Sequence, residues 1–85
     1  MKFVFTEPFQ KDYQRLPPKV QSLLHKTLQF LSTNPRHPSL RARKLPGTAI
    51  WYARVSRFYR LTFQYDNEVI ILRRLGTHEI LSRER

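Results

Sequence analysis

Apolar residues recur along this chain with two different periods, and the change from one to the other falls near Ser39. "KFVF" at the start reads as a short strand. Thr6 is placed to cap a helix behind it, Glu7 favours the positive end of that helix, and Pro8 is tolerated in its first turn. Phe9, Tyr13 and Leu16 then fall on one helical face. Pro17 and Pro18 stop this first helix, and Pro18 also opens a second, in which Val20, Leu23, Leu24, Leu28 and Leu31 follow the 3.6-residue period until "STNPRHP" ends it. The pattern predicts an αα-hairpin with one apolar stripe to bury.

Beyond Ser39 the period becomes two and β-branched and aromatic residues dominate, so the stripe has a sheet to cover and the class is α+β. "SLRARKL" is a strand crowded by basic residues, and Pro46 and Gly47 turn the chain after it. "IWYARV" and "YRLTFQY" are clearer strands. Trp51, Ala53 and Val55 form one apolar set, and Tyr59, Leu61, Phe63 and Tyr65 the next. For both sets to share a face, Val55 must pair with Tyr59 across a loop of Ser56, Arg57 and Phe58. Arg54 then lies directly opposite Arg60, with Tyr52, Thr62 and Gln64 on the same polar face, away from the helices. Like charges so placed repel, and an anion between them reverses the sign. "DNE" makes the next turn. Val69 to Leu75 is a nearly continuous apolar run, as for an inner strand covered on both faces. An Asp66–Asn67 turn sets Arg73 facing Arg60. Gly76 lets the backbone bend where the strand ends, returning His78 towards the arginines.

Composition narrows the chemistry. The 85 residues have room for one domain, 1–85. No cysteine is present, which excludes disulfides and thiolate metal sites and fits a reducing cytoplasm. Neither a signal h-region nor a membrane-spanning run is found. The 16 Lys and Arg against 6 Asp and Glu give a formal charge of +10, so polyanions are the expected partners, nucleic acid or an acidic protein. Arginine predominates, which suits planar, bidentate contact with phosphate.

A histidine among arginines suits RNA cleavage without metal: one group takes the ribose 2′-hydroxyl proton, another protonates the departing 5′-oxygen, and arginines meet the charge that builds on phosphorus oxygens. His25, on a helix flank, and His37, between prolines, read as surface or hydrogen-bonding residues. No grouping has metal-ligand spacing, and there is no phosphate-binding glycine loop or dinucleotide fingerprint, so no metal or cofactor is expected. Trp51, Tyr59 and Phe63 belong to the core, leaving Tyr52 and Phe58 as groups on which a base can stack.

"RKLPG", "IWYARVSRFYRLTFQ" and "VIILRRLGTHEIL" resemble, in order and spacing, the RelE/ParE superfamily of toxin–antitoxin toxins, and in particular its RelE/YafQ-like mRNA interferase branch. The likeness spans nearly the whole chain. It rests most on Arg54, Tyr59 and Arg60, and on Gly76, His78 and Glu79. The resemblance implies an N-terminal strand and two-helix hairpin packed on one face of a mostly antiparallel sheet of four or five strands. It implies a ribonuclease that cuts mRNA in the ribosomal A site, contacts ribosomal RNA and is silenced by an acidic antitoxin. Arg60 matches the family's catalytic arginine, Arg54 a basic residue that assists it, and His78 a histidine that acts as acid or base. Arg41 and Lys44 resemble the family's basic RNA-contacting stretch. With Arg43, Tyr52, Arg57 and Arg73 they complete the expected substrate-binding set. The chain departs from the pattern in having Leu81 and Ser82 where several members carry an aromatic residue, and Tyr52 where some carry lysine. Two alternatives share the fold or the charge: a ParE-like toxin that binds DNA gyrase without cutting RNA, and a plain RNA-binding module.

Overall fold

A computed structural model describes residues 2–84. Its elements run β1 (Lys2–Phe5), α1 (Glu7–Arg15), α2 (Pro18–Thr33), a single 3₁₀ turn (Pro38–Leu40), β2 (Arg43–Lys44), β3 (Trp51–Arg54), β4 (Tyr59–Asp66), β5 (Val69–Thr77) and α3 (Ile80–Arg83). The five strands form one sheet in the order β1-β5-β4-β3-β2, with β1 parallel to β5 and every other pair antiparallel. The α+β expectation holds.

Thr6 passes the chain from sheet to helix. Its hydroxyl donates to the Leu72 carbonyl at 2.7 Å and accepts from the Phe9 amide at 3.3 Å, so one side chain both closes β1 and caps α1. Pro17 then holds an extended backbone ahead of Pro18, and α2 starts there. The buried stripe of α2 is Val20, Leu24, Thr27 and Leu31. It differs from the expected one: Leu23 is 36% exposed, and Thr27 takes the core-facing place, its hydroxyl satisfied by the Leu23 carbonyl at 3.1 Å. With Phe9 and Leu16, this stripe covers Leu61, Phe63, Ile70 and Leu72 of the two central strands.

Several expectations about the sheet need correction. "SLRARKL" is not one strand, because Pro38–Leu40 coils into the 3₁₀ turn and Arg41 follows in the left-handed region (φ 46°), leaving Arg43–Lys44 to pair. Asp66 pairs with Val69, so the β4–β5 turn is Asn67–Glu68, with Asn67 at φ 56°. Beyond it the register shifts between Thr62 and Phe63: Phe63 faces Leu72, Thr62 faces Arg74, and Arg73 is the extra residue of a bulge. The bulge keeps Leu72 and Leu75, three residues apart, on the helix-covered face. Turn and bulge together move the partner of Arg60 from Arg73 to Gly76. Nor are both faces of β5 equally covered, since Val69 and Ile71 remain half-buried.

A second, smaller core occupies part of the far face, where Ile80 and Leu81 of α3 meet Leu45 and Ile50 with Tyr52 against them. Gly76 makes this possible. It lies within β5 rather than at a bend, and a Cβ there would come within 2.6 Å of Ile80 Cγ2. No helix among the described residues is long and apolar enough to cross a membrane.

Candidate phosphate-binding cleft

The β3–β4 hairpin has the register the apolar pattern demands. The Val55 and Ser56 amides both donate to the Tyr59 carbonyl, at 3.0 and 3.3 Å, around the loop of Ser56, Arg57 and Phe58. Arg54 lies opposite Arg60, and Tyr52 opposite Thr62. Arg60 is half-buried. Its Nη1 donates to the carbonyls of Ser56 (2.9 Å), Tyr59 (3.0 Å) and Arg57 (3.3 Å), which fixes the guanidinium and leaves Nε and Nη2 to fork an anion. Burial pushes the Arg60 pKa down, and the neighbouring charges of Arg54 and Arg41 push it the same way, against a smaller opposing effect of Tyr52. Positive charge is thus held here at a cost.

Arg41 reaches this face through its left-handed backbone, and Arg43 through pairing with Tyr52 at the sheet edge. His78 stands in the turn between β5 and α3, a turn closed by the Leu81 amide donating to the His78 carbonyl at 3.2 Å. Together Arg41, Ala42, Arg43, Tyr52, Arg54, Arg60 and His78 line one cleft of about 600 Å³. No carboxylate of the described residues lines it. Among the described residues the ion pairs are Glu7–Lys11, Glu84–Arg73 and Asp12–Arg74, so none neutralises the cleft.

Three expected substrate-binding residues lie outside it. Lys44 pairs with Trp51, so it belongs to the opposite face of the sheet from Arg43. Arg57 is exposed in the hairpin loop and lines an adjoining cleft. Arg73 does not face Arg60: at the bulge its Nε donates to Glu84 at 2.6 Å and its Nη1 to Gln64 at 3.2 Å, which ties the end of the chain to the sheet. Arg74 is likewise engaged by Asp12, which also accepts the Leu75 amide at 3.0 Å where β1 has ended. His25 and His37 are structural, the first bonded to Tyr13 and the second capping the 3₁₀ turn while stacked on Phe30.

Sequence reasoning missed α3 and its small core, which carry His78. The signals were present: "LRRL" breaks the two-residue period at the bulge, and Ile80 and Leu81 extend the apolar content past Gly76. Among the described residues no three His, Cys, Asp or Glu side chains cluster as metal ligands.

No protein-family model and no curated protein matches the chain. Solved structures do. A copper-bound mutant toxin from Helicobacter pylori is 22% identical with a TM-score of 0.78, over 95% of this chain and 98% of that one. A chain of the E. coli DinJ–YafQ toxin–antitoxin complex is 19% identical with a TM-score of 0.79, over 94% of each chain. A chain of the RelB–RelE antitoxin–toxin complex from Methanococcus jannaschii is 17% identical with a TM-score of 0.76, over 99% and 98%. The helical hairpin, the five-stranded sheet and the cleft at its open face are therefore built on the fold of the RelE and YafQ toxins.

Proposed function

We propose that this chain is the toxin of a toxin–antitoxin pair, a metal-independent endoribonuclease that cuts mRNA in the ribosomal A site and is held inactive by an acidic antitoxin. The observation that carries this reading is the cleft in which Arg54, Arg60 and His78 meet with no carboxylate among them. Its likeness in fold to toxins solved with their antitoxins supports the same reading.

The reaction follows from those groups. A base removes the 2′-hydroxyl proton, the O2′–P bond forms as the P–O5′ bond breaks, and an acid gives the 5′-oxygen its proton, leaving a 2′,3′-cyclic phosphate and a 5′-hydroxyl. Arg60, fixed by its three carbonyl contacts, presents its free edge to the phosphoryl oxygens with Arg54 beside it, where negative charge grows in the transition state. His78, the imidazole of the cleft, takes or gives the proton. Arg41 and Arg43 hold the strand.

Ribosomes programmed with a defined message, incubated with the protein in the magnesium they need, test this by mapping of new 5′ ends. Cleavage is expected with wild-type protein. Arg60→Ala should lose about 100- to 1,000-fold in rate and His78→Ala about 100- to 10,000-fold, both remaining folded by circular dichroism. An intact message with wild-type protein rejects the proposal.

A further inference from the structure

The arginine cleft does not end at Arg54. Arg41 and Arg54 also line a second cleft of about 570 Å³ towards α2, whose own charged groups are Lys26 and Arg57, again with no carboxylate. At its other end the arginine cleft shares Tyr52 and His78 with a third hollow, walled by Leu45, Pro46 and Leu81 and carrying Glu79. Positive charge therefore continues from the arginines in one direction only. Next to Arg57, which lines the second cleft, Phe58 is 66% exposed in the hairpin loop, with the Arg57 guanidinium carbon 5.3 Å from its ring centre.

We infer that the two basic clefts hold consecutive phosphates of one single-stranded RNA, with Lys26 and Arg57 on the second phosphate, Arg41 and Arg54 between the two, and a base stacked on Phe58. The inference rests on the nuclease reading for the identity of the strand. A phosphate chain meets unneutralised cations in both clefts, and guanidinium groups suit it. Concave clefts admit a splayed strand, whose bases can stack on exposed aromatic rings, better than a duplex. An acidic peptide could use the cations, but a nucleic-acid strand sets a planar base beside every phosphate, as Phe58 next to Arg57 requires. In the other direction the apolar hollow with Glu79 suits a base rather than a phosphate, so the grip on the strand is one-sided.

The test is fluorescence anisotropy with a labelled 2′-O-methyl RNA hexamer, uncleavable because its nucleophile is blocked, titrated between 50 and 300 mM KCl. Lys26→Ala and Arg57→Ala should each flatten the log–log salt dependence by about 0.7, one phosphate contact's worth on a single strand. Phe58→Ala should weaken binding about fivefold or more without changing the slope. Lys26→Glu should weaken it further than Lys26→Ala. All these side chains are exposed, so the variants should fold. Wild-type slopes in both alanine variants, with Arg54→Ala still flattened, would overturn the second phosphate site and leave the nuclease reading standing. So would a poly-glutamate peptide binding more tightly than the hexamer and losing affinity in the same variants, which would reassign the cleft to an acidic protein. If the message stays intact on ribosomes while Lys26 and Arg57 still shape hexamer binding, the nuclease reading fails alone and the two-phosphate grip stands.

Discussion

Arg54 and Arg60 face each other across β3 and β4 without a carboxylate between them, and only one of the two is structurally employed. Arg60 ties the hairpin loop through three carbonyls. Among the described residues Arg54 has no such duty and contributes repulsion. In buffer free of phosphate and sulfate, Arg54→Ala should therefore raise stability by some tenths of a kcal/mol up to about 1 kcal/mol, read as a higher urea midpoint with unchanged slope. Arg60→Ala should not, because the loop carbonyls lose their donor. A lower midpoint for Arg54→Ala would mean that the pair is not under strain. This adjacency was legible in the sequence because the core enforces it: a one-residue slip would expose half of the apolar set. The place of Arg73 was missed because it depends on where the turn falls and on a bulge whose one sign in the sequence is the broken period of "LRRL".

At the scale of elements, β1, α1, the double-proline break, α2 and the long hairpin were legible because each carries a full period and its own punctuation. α3 has four residues, too few for a period, and its presence is encoded instead in what Gly76 lacks. Gly76→Ala would put a methyl group 2.6 Å from Ile80 Cγ2, and both the β-branched side chain and the strand backbone are packed. Either the Ile80 side chain leaves its place in the small core or the helix moves, and with it the turn that carries His78. Such overpacking costs about 1–3 kcal/mol, which in a domain of this size lowers Tm by roughly 5–20 °C. Ile80→Ala alone should also destabilise, by opening a gap in the small core. The double variant Gly76→Ala/Ile80→Ala should be less destabilised than the two singles added together, by about 1 kcal/mol or more, because the second truncation removes the clash made by the first. Additive losses in thermal unfolding would show that α3 does not depend on this close approach, and the positioning of His78 would need another explanation.

Across the whole molecule the formal charge is +10, yet the described ion pairs place three of the six acids on Lys11, Arg73 and Arg74, none of them in the cleft. Four of the unneutralised arginines, Arg41, Arg43, Arg54 and Arg60, meet in the cleft, and the depressed Arg60 pKa is the local sign of it. For a base whose pKa falls on folding, the unfolded chain binds more protons between the two pKa values, so stability rises with pH only in that alkaline window. At neutral pH both states are fully charged and the penalty is constant, so an anion rather than pH relieves it. Millimolar inorganic phosphate should therefore stabilise the protein more than KCl at matched ionic strength. Chloride only screens the overall self-repulsion, whereas phosphate also occupies the cleft. At phosphate ten times its Kd the gain is about 1.4 kcal/mol, or roughly 5–11 °C in Tm. The variant carrying both Arg54→Ala and Arg60→Ala should respond to the two salts alike. If wild-type Tm rises equally in phosphate and chloride, the cleft is merely basic and holds no phosphate. A phosphate-specific rise that survives in the double variant would move the anion site elsewhere on the surface.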